Sequence, residues 1–471
     1  MSESDAAAVP AEAPPTDAGI MDREDRLSPD FVDQVLDAVE AGHDETARAL
    51  VEPLHPADVA DLIELARADE REGLVAALAG IVDADVIAEM NEHVRERLLD
   101  EMEPQQLADL AGQLDTDDAV AILEDLEDDE QRAVLRAMEP DDRAAIEEAL
   151  SYPEESAGRL MQRDLIAVPD HWSVGQLIDY LRSGDELATD FWEVFVVSPT
   201  HHPVGTCRLS AILRSPRKMR VADILVEDQT LIPVEMDQEE VALRFQKYAL
   251  ISAAVVDPSG RLVGMITVDD IVHIIQEEAG EDVLLLSGAG DGDINEPIAL
   301  TVRTRLTWLV INLGTAILAA GVVGLFQREI SRFALLAVLM PIVSGMGGNA
   351  GTQTLAVVVR ALATNQLASS NTARMIGREL KIALANGIAL GIIIGGGTWL
   401  LFHNDRLGLV IGAAMVINNL VAGLAGILVP VSLDRARVDP AVSSAVFVTM
   451  ATDVMGFFSF LGLAALAGLS P

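Results

Sequence analysis

Apolar residues fall into two regimes along this 471-residue chain, and the change comes near residue 300. Over 28–150 they recur in short stretches at helical spacing. HPADVADLIELA, EPQQLADLAGQL, TDDAVAILEDL and EPDDRAAIEEAL each set Leu, Ile, Val or Ala three or four apart behind an Asp- or Pro-bearing start. That pattern predicts short helices, each too small to bury its stripe alone and stacked into an irregular helical array. Over 155–277 the period shortens. Ala253–Val256 reads as an apolar strand, DPSG as a turn, Leu262–Val268 as a second strand, and Asp269 with Asp270 as the start of a helix. The stretch EVFVVSPTHHPVGTCRLSAIL repeats that order earlier in the chain. Beyond Asp270, DDIVHIIQEEAGEDVLLL predicts a charged helix that runs into a joint, SGAGDGDINEP. The joint lacks the spacing and the terminal bidentate Glu of a calcium loop, so it reads as a hinge.

Five long apolar runs follow, at roughly 306–327, 333–358, 382–402, 407–430 and 441–468. Each supplies the ~20 apolar residues a bilayer core requires. Arg303, Arg305, Arg360, Arg374, Arg378, Lys381, Arg435 and Arg437 flank the runs on the side shared with the N-terminal region, against Arg328, Arg332 and Arg406 on the other. This bias places the first 300 residues in the cytosol and the C-terminus outside, in a multi-pass protein of the plasma membrane.

Charge sharpens the division. Residues 1–300 hold 69 of the 75 acidic and 21 of the 32 basic residues, a net −48, whereas 301–471 carry +5. The surface is also poor in lysine: Lys218, Lys247 and Lys381 stand against 29 arginines. Such a surface suggests a halophilic source, where high salt screens self-repulsion; a carboxylate-rich ion-sensing face is the alternative, and both can hold. A polyanion would be repelled, which excludes nucleic acid as a partner. The single Cys207 excludes an intrachain disulfide and a multi-cysteine metal site. Residues 1–26 are rich in Ala, Pro, Asp and Glu without a basic start and an apolar run, so they read as a disordered acidic tail rather than a signal peptide.

One acidic residue, Asp453, lies well inside an apolar run. A helix beginning near Pro440 places it ~20 Å along the axis, near mid-membrane. A carboxylate there must face water, a cation or a partner, and a protonated Asp bonded to a neighbouring helix is the alternative. Ala445 and Thr449 precede it on the same face and Gly456 follows at i+3, a small, weakly polar stripe. The second run contains MPIVSGMGGNAGTQT, in which Pro341, Gly345, Gly347, Gly348 and Gly351 weaken the helix. Irregular backbone is tolerated in a membrane where it lines a cavity or is buried in protein, so Gly345, Gly348 and Asn349 are candidate path-lining residues, with close helix packing as the other use of these glycines. Oxygen ligands without Cys, His or Met suit a hard divalent ion. Chemistry alone reaches a divalent cation pathway and leaves the ion open.

The strings PIVSGMGGNAGTQT (341–354), YALISAAVVDPSGRLVGMITVDD (248–270) and DPAVSSAVFVTMATDV (439–454) resemble MgtE magnesium channels, and the likeness covers essentially everything after residue 27. It implies a multidomain protein. An all-α superhelical N domain would span 27–150, an α/β CBS-domain pair 151–222 and 223–277, a linking plug helix 270–300, and a five-helix α transmembrane domain 301–471. It further implies a homodimer in the lipid bilayer with the path for hydrated Mg2+ between subunits, lined by Asp453, Thr449, Ala445, Asn349, Gly345 and Gly348. Asp453 then matches the acidic residue that holds hydrated magnesium in the pore. Regulatory Mg2+ would bridge acidic surfaces of the cytosolic part and hold the pore shut, with Glu239, Asp270, Glu278, Glu281 and Asp282 on ligand positions and Asp117 and Asp118 contributing from the array. Ala249 and His273 stand where the family commonly has Asp, which predicts a weakened regulatory site and sensing shifted to higher magnesium. CBS pairs also bind adenine nucleotides through G-h-h-[ST]-x-x-[DN]. Gly264, Thr267 and Asp270 retain this element, and Arg208 and Ala211 replace it in the first unit, so one ATP site at most is expected.

Two other classes compete. An enzyme would need a nucleophile elbow, a Walker loop or a His/Cys cluster, and the sequence has none. A proton-coupled divalent-cation transporter using Asp453 as a relay would favour inverted repeats, and five helices do not halve.

Overall fold

The computed structural model describes residues 19–23, 26–100, 102–183, 191–288, 295–367, 371–442 and 444–469. The chain divides into two compact units, Met1–Ile275 and Gln276–Pro471.

The first unit opens with the helical array, ten helices from Pro29–Glu40 to Pro140–Ala149 among the described residues. The expected starts are used as written. Pro56, Pro104 and Pro140 each occupy the first helical position, where a missing N–H costs nothing. Ser28 Oγ accepts from Phe31 N, and Asp83 Oδ1 from Val86 N at 3.2 Å. The apolar stripes merge into one core through Val35, Val51, Leu62, Ile63, Leu74, Ile122 and Leu123. The last residues assigned to the tail expected through residue 26 pack on the array. Ile20 is buried in this core, and Met21 bridges to Leu27. Residues 1–18 lie outside the described residues.

Two three-stranded sheets follow, with the same construction. β1 (Ala167–Pro169) runs parallel to β2 (Glu193–Val197), which pairs antiparallel with β3 (Pro203–Arg208). β4 (Leu231–Pro233), β5 (Ser252–Val256) and β6 (Leu262–Thr267) repeat the arrangement. The duplication reaches single residues: each antiparallel pair carries a register shift at the equivalent place, Val196/Val197 and Val255/Val256. The two cores also exchange segments. Residues 156–162, ahead of β1, bond into the second half through Ala157 N to Met236 O, beyond the end of β4, and a bridge between Gln162 and Met265 in β6. Residues 217–226, ahead of β4, bond to the first through Gly175 N to Arg217 O and a bridge between Val226 and Thr206. Met161 accordingly sits in the second core and Val221 in the first.

The helix Val268–Ser287 crosses the boundary between the units. The glycine-rich joint that follows it lies largely outside the described residues. Five helices of the second unit are long and apolar enough to cross a membrane: Ile298–Leu325, Leu335–Ala363, Thr372–Phe402, Asp405–Arg435 and Ser444–Leu466. The fourth is the centre of the bundle and packs on the second, third and fifth, while the first has the fifth as its main neighbour. Glycines bring the third and fourth helices into backbone contact. A Cβ at Gly391 would lie 2.8 Å from Gly412 O, and one at Gly395 2.6 Å from Gly408 O. The second helix runs unbroken through Pro341 and the glycines, contrary to the irregular backbone expected there.

Candidate ion path and cation-sensing site

In the second unit the glycines of the second helix divide into two sets. Gly347 and Gly351 are packing glycines. A Cβ at Gly347 would meet Asn418 Nδ2 at 2.0 Å, and one at Gly351 would meet Val448 Cγ1 at 2.5 Å. Gly345 and Gly348 have nothing within 4 Å of an added Cβ, and Asn349 and Thr352 are exposed. Positions 345, 348, 349 and 352 follow i, i+3, i+4, i+7, so they form one uncovered helix face of small and polar residues.

Asp453 projects from the fifth helix at intermediate exposure, and its Oδ1 accepts a short hydrogen bond from Ser344 Oγ on the second. Thr449 and Ala445, one and two turns earlier, are also half-buried. Ala445 packs on a cluster formed by Leu355, Val359, Ala425, Ala441 and Val448, which also receives Leu285 and Leu286 from the end of the linking helix. Gly456 faces inward, where an added Cβ would stand 2.8 Å from Asn418 Nδ2. Asn418 is fully buried. Its Nδ2 donates to Val343 O at 2.8 Å, and its Oδ1 has no partner. Ser344 and Asn418 escaped the sequence reading because Ser and Asn inside an apolar run carry no charge to mark them. Glu379, buried near the start of the third helix, escaped because it precedes the apolar run.

In the first unit a second acidic site joins the array to the CBS pair. Gln162 Nε2 lies 3.5 Å from Asp117 Oδ2 and 3.3 Å from Asp270 Oδ2, so one amide bridges two carboxylates. Asp117 Oδ1 is buried without a partner. Burial first, then the charges of Asp270 and Asp118, hold the Asp117 carboxyl well above the usual carboxylate range. Burial raises Asp270 to about 6, with Asp269 and Asp118 adding to it against the Thr267 hydrogen bond. Asp118 rises to about 6 through loss of water on its protein side and the nearby Asp115 and Glu89. It keeps an exposed edge, so solvent screens it most. Arg159 pairs with Glu124 and Arg163 with Glu148, which ties array to CBS pair beside these acids.

Asp270 also lies in the first turn of the linking helix. Its Oδ2 accepts from Thr267 Oγ1 at 2.7 Å and Thr267 N at 3.4 Å, just ahead of the linking helix. Gly264 lies under the crossing segment, and an added Cβ there would be 2.7 Å from Met161 Sδ. All three residues of the nucleotide element thus have work within the protein. Glu239 is in the first turn of Gln238–Tyr248, and Glu278 and Glu281 lie along the linking helix. The side chain of Asp282 is outside the described residues. Among the described residues no three His, Cys, Asp or Glu side chains converge as a ready-made metal cage. A magnesium ion that keeps most of its waters needs only one or two carboxylates.

Three family models match the chain: Divalent cation transporter, MgtE, over 340–463; MgtE intracellular N domain over 54–155; and CBS domain over 221–277. The magnesium transporter MgtE of Enterococcus faecalis is 33% identical over 319 residues, 67% of this chain and 70% of that protein. The chain belongs to the MgtE family of magnesium transporters. The MgtE of Thermus thermophilus is 31% identical over 319 residues, with the same coverage of 67% and 70%. A crystal structure of the cytosolic domain of the Mg2+ channel MgtE in complex with ATP is 26% identical, at TM-score 0.48, covering 52% of this chain and 99% of that one. Members of the MgtE family are transporters, not enzymes. The transporter model of the MgtE family spans Ser344, Asn418 and Asp453 together. Ala249 ends its helix at φ 51° and ψ 50°, a left-handed conformation, and His273 is exposed on the linking helix.

Proposed function

We propose that this protein passes hydrated Mg2+ across the plasma membrane through a path at a homodimer interface, with Asp453 as the carboxylate the ion meets. One observation carries the reading: in a bundle of membrane helices, Asp453 keeps partial exposure and among the described residues is bonded by one neutral hydroxyl, beside a helix face of small and polar residues that no described residue covers at Gly345 and Gly348. A carboxylate at that depth, with no cationic side chain bonded to it among the described residues, calls for water or a mobile cation. A second subunit would cover the Gly345–Thr352 face and close the path. The cytosolic array, CBS pair and linking helix would lie inside and the C-terminus outside.

Regulation would act through the acids of the first unit. Apposed carboxylates at Asp117 and Asp270 repel, and Mg2+ shared between them replaces repulsion with ligation. Asp118, Glu239, Glu278, Glu281 and Asp282 would add further ligands. Clamping these acids would set the linking helix, whose Leu285 and Leu286 pack on the same cluster as Ala445, so that bound Mg2+ holds the path shut. ATP at Gly264, Thr267 and Asp270 would have to displace the contact between Gln162 and Asp270, and so would compete with the cation for one carboxylate.

The test is magnesium entry into liposomes containing an Mg2+-sensitive dye. Asp453→Ala should abolish entry, and equal entry would defeat the assignment. Flux that follows an imposed pH gradient rather than the magnesium gradient would favour proton-coupled transport. For regulation, Ala249→Asp and His273→Asp should close the path at lower magnesium, and an unchanged midpoint in both would remove the sensing role from those positions.

A further inference from the structure

We infer that Ser344 is a positioning residue for the ion path: its hydroxyl holds Asp453 Oδ1 so that Oδ2 alone meets the passing cation. This rests on the reading of Asp453 as the carboxylate of the path.

A serine in mid-helix ordinarily turns its hydroxyl back to the carbonyl one turn earlier, here that of Met340. Ser344 instead reaches to the neighbouring helix and donates to Asp453. A hydrogen bond to an ionised acceptor is stronger than a neutral one, and it fixes which carboxylate oxygen is used. No described residue bonds to Oδ2, and the side chain keeps partial exposure.

The bond is held from behind by Asn418. Its Nδ2 donates to the carbonyl of Val343, the residue just before Ser344. The same amide packs against Gly456, one turn beyond Asp453, and against Gly347, one turn beyond Ser344. One fully buried side chain on the central helix thus sets the register of both partners.

The consequence is chemical. A carboxylate pinned through one oxygen offers a single point to an octahedral hydrated ion. A freely rotating one can turn both oxygens to a larger ion that accepts bidentate ligation, such as Ca2+. Ser344 therefore favours the small, hydrated cation over calcium.

The test compares Ser344→Ala, Ser344→Gly and Ser344→Thr with Asp453→Ala in the full chain, reconstituted at equal protein. Entry of Mg2+ and of Ca2+ is measured against concentration. Loss of one charge-assisted bond predicts that Ser344→Ala and Ser344→Gly raise half-saturating Mg2+ about tenfold and lower the Mg2+-to-Ca2+ ratio, with a smaller change in maximal flux. Ser344→Thr keeps the hydroxyl and should stay near wild type. Wild-type half-saturation and ion ratio in both hydroxyl-free variants would overturn the inference, as would equal changes in Ala and Thr variants. If Asp453→Ala itself conducts normally, the reading of the path falls instead.

Discussion

Single glycines separate structural from functional use in the second membrane helix. Gly347→Ala would drive a methyl into the amide of the fully buried Asn418. It should lower stability by about 1–3 kcal/mol, as overpacking does, and reduce the melting temperature of the detergent-solubilised protein. Gly345→Ala meets nothing within 4 Å. It should leave melting unchanged or slightly higher, since Ala outranks Gly in a helix by about 1 kcal/mol, while reducing Mg2+ flux if that face borders the path. In the CBS pair, Ala249 holds a left-handed backbone that costs a non-glycine residue ~1 kcal/mol or more. Ala249→Gly should therefore stabilise that unit by about 0.5 kcal/mol in denaturant titration, net of the extra freedom glycine gains when unfolded.

At the scale of elements, length and position of the membrane helices were legible, but their ends were not. The third helix begins at Thr372, ten residues before its apolar run, because Arg374, Arg378 and Lys381 continue the helix in more polar surroundings. Hydropathy reports the depth of the lipid, not the extent of the hydrogen-bond ladder. The weakening expected at Pro341 and the glycines does not interrupt the helix, since neighbouring helices can satisfy the backbone that a proline frees. The strand–turn–strand repeat was readable in both CBS units, whereas the exchange of 156–162 and 217–226 was not, because short edge segments carry no period. Gln162 arrives with that exchange, which is why the bridge between Asp117 and Asp270 had no sequence signal. The raised acids make a signed prediction. An aspartate whose folded-state pKa lies above its usual 3.8 disfavours the folded arrangement when ionised, so the penalty is present above about 6 and fades as pH falls through that value. Magnesium should offset it. The rise in melting temperature on adding Mg2+ to EDTA-treated protein should be larger at pH 8 than at pH 5.5, and Asp117→Asn should shrink the difference. Equal rises at both pH values would remove these acids from cation sensing.

Across the whole molecule the sequence divides by solvent, with −48 in the first 300 residues and +5 in the rest. That much negative charge repels itself at low salt, where the Debye length is ~10 Å at 0.1 M, and is screened to ~3 Å at 1 M. Raising KCl from 0.1 to ~2 M should therefore increase the melting temperature, and a flat response would argue against adaptation to high salt. The central claim concerns the solvent at one carboxylate. Cys207 is the single native cysteine and is buried, so Asp453→Cys in membranes offers one reactive thiol. Its rate of modification by a water-borne, membrane-impermeant thiol reagent, with and without Mg2+, is the direct measurement. The account predicts modification from the aqueous phase, slowed by millimolar Mg2+. A thiol that never reacts while the protein is folded and dimeric would place position 453 in lipid or a dry cluster and contradict it.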